Sequence, residues 1–273
     1  MIGNTAATIE RRLTLVLVLV LKSIRLYRPV NAALYRLHID HIMWWRSWRK
    51  RALVFYSQFV EQGSLCFDIG ANIGNRTELF AELGATVVAV EPQANCVAKL
   101  NKRYAKSKQV RIIQKVVGPC EGEAVLQVCD RDNGRLSSCS EEWISASKSI
   151  GSIFSPLKWE RSIKVPMTTL DSLIAQFGMP SFCKIDVEGF EYEVIKGLTQ
   201  PIKAVSLEFA THHLPPAVDS IRRLAELGLT GFNYSMGEST EWALPKFVSA
   251  DEICNILRKL PEKLAYGDVY ATT

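Results

Sequence analysis

Nowhere in the 273 residues is there a G-x-G-x-x-G run, so the chain lacks the phosphate cradle that nicotinamide and flavin enzymes place between a strand and its helix. Paired cysteines are missing as well: the seven, at 66, 96, 120, 129, 139, 183 and 254, are odd in number, widely spread and never in a C-x-x-C spacing. Neither a disulfide framework nor a zinc site is suggested by that pattern. The longest apolar run, Leu13–Leu21 (LTLVLVLVL), has nine residues, about half of the ~20 that a helix needs to cross a bilayer. Tandem repeats are absent. No basic stripe interleaved with aromatics runs through the C-terminal four-fifths of the chain, which argues against a nucleic-acid partner.

What is present is the composition of a globular protein, 48% hydrophobic and 22% charged. The net charge of +5 is unevenly placed. Residues 1–51 carry ten basic side chains against two acidic ones, a balance of +8, leaving 23 basic and 26 acidic of the chain's 33 and 28 for the rest. This predicts two parts: a basic N-terminal extension over 1–51, with Trp44, Trp45 and Trp48, and a catalytic domain over 52–273. Arg11 and Arg12 before the apolar run give it the look of a signal peptide, but no small-residue cleavage site follows and Lys22, Arg25 and Arg28 come straight after it. Cytoplasmic residence is the expectation. Peripheral contact of the extension with the inner face of a membrane is one hypothesis, and packing of the run on the domain or on a second copy is the other.

The domain is organised around Leu65–Thr77 (LCFDIGANIGNRT), which passes from strand to helix chemistry within a few residues. Leu65, Cys66, Phe67 and Ile69 suit a strand buried on both faces, and Asp68 interrupts them with a carboxylate that needs donors or a ligand. Gly70 and Gly74 predict a sharp turn that lets the backbone approach a bound molecule, with a helix starting at about Asn75. Thr86–Val90 (TVVAV) then predicts a second strand ending on Glu91, the place where α/β cofactor sites hold a ribose through its hydroxyls. The G-x-x-x-G spacing favours S-adenosylmethionine over a dinucleotide, since that cofactor has a ribose and no pyrophosphate to place on a helix N-terminus.

Further along, Val110–Val117 reads as a third strand and Glu123–Cys129 as a strand or hairpin partner. Residues 130–162 are Ser-rich, which suits a functional lid or insert or else disorder, and the embedded Trp143 and Trp159 favour the lid. Thr168 is expected to cap a helix that runs to Phe177, Ser181–Asp186 is the fourth core strand and Lys203–Phe209 the fifth, and a helix spans Lys50–Gln62 with Gly63 as its C-cap. Strands alternating with helices predict a mostly parallel sheet covered on both faces.

The motifs FDIGANIGNRT, AVEPQ, MTTLDSLI, CKIDVEGFEYEVIKGL and VSLEF, in that order, resemble those of FkbM-type S-adenosylmethionine-dependent methyltransferases from about Phe55 onward. The resemblance implies a class I methyltransferase fold, a doubly wound seven-stranded sheet with an antiparallel last strand. It also implies methyl transfer to a hydroxyl of a sugar, glycolipid or secondary metabolite, with a small-molecule or glycan acceptor as partner. On the same footing, Asp68, Gly70, Asn72 and Gly74 match the cofactor turn, Glu91 the ribose-binding acid, and Asp186 the acid beside the transferring methyl.

A hydroxyl acceptor must lose a proton as the new bond forms. Asp186, Glu188, Glu208 and His212, with His213 beside it, are the candidates, and Asp186 is favoured by its place at a strand end. Glu188 has a structural alternative at a helix N-terminus, and the two histidines have one in a surface turn before Pro215 and Pro216. Lys184 is expected to pair with a carboxylate. Asp186, Glu188 and Glu208 could collect a hard divalent ion, but no ligand spacing demands one and a metal is left unassigned. A non-catalytic membrane-peripheral adaptor on the same fold and a nucleotide-cofactor oxidoreductase are the rival classes. Oligomeric state stays open.

Overall fold

The computed structural model describes residues 39–129, 134–149, 157–261 and 265–273. Contacts divide the chain between Arg51 and Ala52. The apolar run Leu13–Leu21 lies outside the described residues, and the first described element is helix α1 (Ile39–Tyr56). Among the described residues no helix is long and apolar enough to cross a membrane.

Among the described residues, ten strands form two sheets. The larger contains β1 (Leu65–Ile69), β2 (Thr86–Val90), β3 (Val110–Ile113), β7 (Phe182–Ile185), β8 (Ala204–Ala210), β9 (Gly231–Met236) and β10 (Tyr266–Thr272), in the order β3-β2-β1-β7-β8-β10-β9. Neighbours pair in parallel except at β10, which is antiparallel to both β8 and β9. The smaller sheet is β4 (Val116–Val117), β6 (Arg161–Thr168) and β5 (Gly122–Val128), in the order β4-β6-β5. Helices α2 (Asn75–Glu82), α3 (Ala94–Tyr104), α5 (Leu170–Phe177), α6 (Glu191–Lys196), α7 (Pro215–Glu226) and α8 (Ala250–Leu257) connect the strands, and α4 (Glu141–Ser149) belongs to the segment between β5 and β6.

The central strands are buried because their sequences are apolar on both faces: Cys66, Phe67, Val87, Val88, Ala89, Phe182, Cys183, Ile185 and Leu207 are all fully enclosed. The chain winds outward from β1 to β3, then returns to β7 on the other side of β1. Its topological switch therefore lies between β1 and β7, where open α/β sheets bind ligands beyond the strand ends. Register lines those ends up. Ile69 is level with Val90 and with Ile185, and Ile185 with Leu207. The next residue of each strand or turn, Gly70, Glu91, Asp186 and Glu208, therefore falls in one row along the carboxyl edge.

Four local expectations are corrected. Val110–Val117 is two strands in two sheets: β3 joins β2, while Val116 and Val117 pair with Met167 and Thr168 of β6, and Val116 packs with Leu126, Val128 and Val165. The helix expected over Lys50–Gln62 is the tail of α1 and stops at Tyr56, where the side chains of Ser57 and Gln58 turn back onto the carbonyls of Val54 and Phe55. Gly63 consequently caps no helix; its N–H donates to the Gly84 carbonyl on the way into β1. The cap of α5 is Thr169, which accepts from the Ser172 N–H, because Thr168 is still in β6 with its hydroxyl on Glu121. Ser249 and Glu252 form a capping box at the start of α8.

Candidate active site

The glycine turn after β1 is built against the strand next door. Gly70 has φ 83°, and a Cβ there would lie 1.8 Å from the Asp186 carbonyl oxygen. What demands glycine is thus the close passage of the β1 and β7 turns, held by the Asp186 N–H on the Ile69 carbonyl at 2.9 Å; the Gly70 and Ala71 N–H groups donate to the Val90 carbonyl of β2 on the other side. Gly74, also left-handed, is the N-cap of α2, and its absent Cβ makes room for Leu100. Asn72 has φ 48°, a region that asparagine tolerates, and its N–H points at Glu91.

Asp68 faces the interior. It is 2% exposed, and its Oδ2 accepts from the Thr77 hydroxyl in α2 at 2.5 Å. Burial raises its pKa, and the Thr77 bond and the Lys184 charge oppose the rise. Its visible work is to tie β1 to the first turn of α2. Glu91, 3% exposed, accepts from the Asn72 N–H through Oε2 and from the Gln93 N–H through Oε1, both at 2.9 Å. Its pKa is raised by burial, against those two bonds. Each oxygen keeps acceptor capacity, so the donor set suits a pair of hydroxyls.

Gln93 carries a connection that sequence reasoning missed. Its side chain donates to the Gly134 carbonyl at 3.0 Å and accepts from the Ser137 hydroxyl at 3.3 Å, joining the turn after Glu91 to the segment between β5 and β6. In that segment Arg135 meets Glu238 at 3.0 Å, and Glu238 meets Arg76 of α2 at 2.6 Å. Helix α4 follows, with Trp143 seated on Gly189: a Cβ there would lie 2.4 Å from the indole. Trp143 also touches His212 and Trp159, and the Ser147 hydroxyl shares a hydrogen bond of 3.1 Å with His212 Nε2. Of the segment read as a lid, residues 134–149 and 157–162 are described; 130–133 and 150–156 lie outside the described residues.

On the other side of the switch, Lys184 is 1% exposed and reaches Asp268 of β10 at 2.8 Å and Asp186 at 3.3 Å. Burial alone would lower the lysine's pKa, but the two carboxylates reverse this and raise it well above normal. Asp186, one-third exposed, is pulled in the opposite sense: burial raises its pKa, and the charge of Lys184 outweighs that and leaves it lowered. Glu188 does not serve α6. The acid at that helix's start is Glu191, whose Oε1 accepts from the N–H groups of Val187 and Gly189, both at 3.2 Å, and whose pKa burial pushes up to about 7. Glu188 instead adopts φ 53° and converges with Asp186 and Glu208, one oxygen of each lying within 4.8 Å of the others. Burial, and then neighbouring carboxylates, raise the pKa of Glu188 and Glu208 well above normal. His213, Glu208, Glu191, Gly189, Trp143 and Ala217 line a pocket beside this cluster. Asp186, Glu188, Glu208 and Glu91 thus gather along the carboxyl edge, His212 sits under α4, and Asp68 is turned away into the core.

A mostly parallel seven-stranded sheet in this order, closed by one antiparallel C-terminal strand and with its acids at the strand ends beside the switch point, defines a class I methyltransferase fold. Residues 68–236, more than half of the chain, match the Methyltransferase FkbM domain. The chain belongs to the FkbM methyltransferase family. No curated protein matches it. Solved structures similar to it include precorrin-6Y C5,15-methyltransferase from Geobacter metallireducens, at 12% identity and TM-score 0.43, covering 82% of this chain and 87% of that one. They also include a Streptococcus mutans protein in complex with SAH, at 9% identity and TM-score 0.39 over 81% and 96%. An rRNA methylase from Streptococcus thermophilus aligns at 10% identity and TM-score 0.38 over 81% and 93%.

Proposed function

We propose that the protein transfers a methyl group from S-adenosylmethionine to a hydroxyl of a sugar, glycolipid or secondary metabolite. The observation that carries the reading is the row of carboxylates on one sheet edge: Glu91 on one side of the switch, and Asp186, Glu188 and Glu208 on the other. S-adenosylmethionine supplies an electrophilic methyl on a sulfonium. The two oxygens of Glu91, held by the Asn72 and Gln93 N–H groups, suit the two ribose hydroxyls. An uncharged ribose is the right match, since the chain has no G-x-G-x-x-G turn for a pyrophosphate.

On the acceptor side the same edge offers proton acceptors and a cover. Methyl transfer is an in-line displacement, so alignment and exclusion of water do most of the catalytic work. The cover is α4, whose Trp143 lies on Gly189 next to the pocket that Glu208 and His213 line. Asp186, Glu188 and Glu208 present a negative face to receive the hydroxyl proton. Asp186 is committed to Lys184, which makes it a poorer proton acceptor than Glu208. The carboxylate face therefore acts together, with Asp186 fixing its edge. We further assign the chain to the cytoplasm and residues 1–51, with their balance of +8, to peripheral contact with anionic lipid.

Calorimetry with S-adenosylmethionine, its demethylated product and NAD tests the cofactor. The first two should bind and NAD should not, and Glu91→Ala should cost roughly 1.5–3 kcal/mol, the worth of a charged hydrogen bond. Equal heat from NAD, or an unaffected Glu91→Ala, refutes the assignment. Labelled methyl transfer into pools of glycans, glycolipids and small alcohols tests the acceptor class. Incorporation only into nitrogen or carbon acceptors would overturn it.

A further inference from the structure

Among the described residues, the buried acids share a rule with one exception. Asp68 has the Thr77 hydroxyl, Glu91 two backbone N–H groups, Glu191 two more, and Asp268 the Lys184 ammonium. Glu188 is 8% exposed, and among the described residues its carboxylate accepts no hydrogen bond and forms no ion pair. A carboxylate on a residue this buried is costly without a partner. It points at two further carboxylates, Asp186 and Glu208, with one oxygen from each of the three within 4.8 Å of the others. Of the nearby cations, Lys184 bridges Asp186 and Asp268, and Arg135 pairs with Glu238; neither forms an ion pair with Glu188 or Glu208.

We propose that Asp186, Glu188 and Glu208 bind a hard divalent cation of the Mg²⁺, Mn²⁺ or Ca²⁺ type. The spacing is close to what a single ion can span. Such ions hold oxygen at roughly 2.0–2.6 Å, so two ligands on one ion stand about 5 Å apart at most. All three donors are oxygens, and no cysteine joins them, which selects hard cations over zinc or copper. The ion supplies the positive charge that Glu188 lacks. Three protein oxygens also leave an octahedral ion about half open to water or to ligand oxygens.

The open positions deepen the acceptor reading, and this step rests on the hydroxyl assignment above. A hydroxyl bound to the ion is acidified, and Glu188 and Glu208 each offer one oxygen to the metal while keeping the second for the released proton. Two open positions side by side favour an acceptor that presents neighbouring hydroxyls, as a sugar ring does. The cation site itself does not depend on which acceptor is used.

Titration of the chelator-treated full chain with Mn²⁺ alone, followed by electron paramagnetic resonance, tests the site. One saturable Mn²⁺ per chain is expected, displaced by Mg²⁺, with affinity at least tenfold weaker in Glu188→Gln and in Glu208→Gln. Melting temperature gives a second reading that requires no activity. Mn²⁺ should raise it in the wild type and not in Glu188→Gln, while Glu188→Gln alone should raise it in chelator by relieving repulsion. No saturable binding, binding unchanged in both variants, or a Glu188→Gln gain in chelator with no Mn²⁺ effect on the wild type overturns the site, the last by showing that a proton holds the cluster. Mn²⁺ binding together with chelator-insensitive methyl transfer supports the site and overturns its role on the acceptor.

Discussion

Substituting Gly70 by alanine puts a methyl group where the β1 and β7 turns pass each other. The added Cβ would lie 1.8 Å from the Asp186 carbonyl oxygen and 2.8 Å from its carbon, and neither atom belongs to a side chain that can rotate away. Two costs combine. The left-handed backbone at φ 83° disfavours any residue with a Cβ by roughly 1–2 kcal/mol, and overpacking a fixed neighbour adds about 1–3 kcal/mol. Gly63 separates them, because it has φ 81° and nothing within 4 Å of its missing Cβ. Gly63→Ala should therefore show only the backbone part, about 1–2 kcal/mol, and Gly70→Ala about 2–5 kcal/mol. Urea unfolding with equal m-values for both variants measures the difference. Relief of the clash also moves Asp186, so S-adenosylmethionine binding should weaken in Gly70→Ala and hold in Gly63→Ala. If the two variants unfold within about 0.5 kcal/mol of each other, below the usual spread of surface changes, then the turns are not in contact and the account of this glycine fails.

Lys184→Met leaves Asp186 and Asp268 facing each other with their shared cation gone; breaking such a buried pair costs ~3–5 kcal/mol. Adding Asp268→Asn should recover part of it in a double-mutant cycle, and additive losses would count against the network. Glu191 supplies a pH dependence. Its folded pKa of about 7 stands above the ordinary 4.5, so the native state holds a proton that the unfolded chain has released. Its contribution is then greatest below pH 4.5 and declines by up to ~3 kcal/mol on the way to pH 7. Glu191→Gln keeps an oxygen for the Val187 and Gly189 N–H groups and should flatten that decline in chelated buffer; an unchanged slope would assign the titration elsewhere.

Much of this molecule was legible because it depends on short stretches of chain. The apolar run broken by Asp68, the glycine turn and the TVVAV strand ending on Glu91 are local patterns, and the structure has β1, β2 and α2 where they predict. Periodicity and turn chemistry act over a few residues, so a linear reading captures them. The expectation for Lys184 also held, since a cation inside a buried strand has few alternatives to a carboxylate. Elsewhere the residue types were right and the assignment was off. Thr169 caps α5 in place of Thr168, and Glu191 takes the helix-start role considered for Glu188, because a one-residue or one-turn shift leaves the local pattern equally satisfied.

By itself, then, the sequence determined the α/β class, the order of its main elements, the glycine turn after β1 and the list of acids at strand ends. Tertiary structure decided which of those acids meet. Asp68 and Glu91 read alike as strand-end carboxylates, yet one turns inward to Thr77 and the other takes the N–H groups of the turns around it. Glu208 joins Asp186 and Glu188 only because β8 lies beside β7 in register, and Trp143 covers Gly189 only because α4 packs against the turn after β7. Burial and convergence belong to pairs of residues that are distant in the chain. No pattern along one strand encodes whether a carboxylate will find a backbone donor, a lysine or two other carboxylates when the sheet closes.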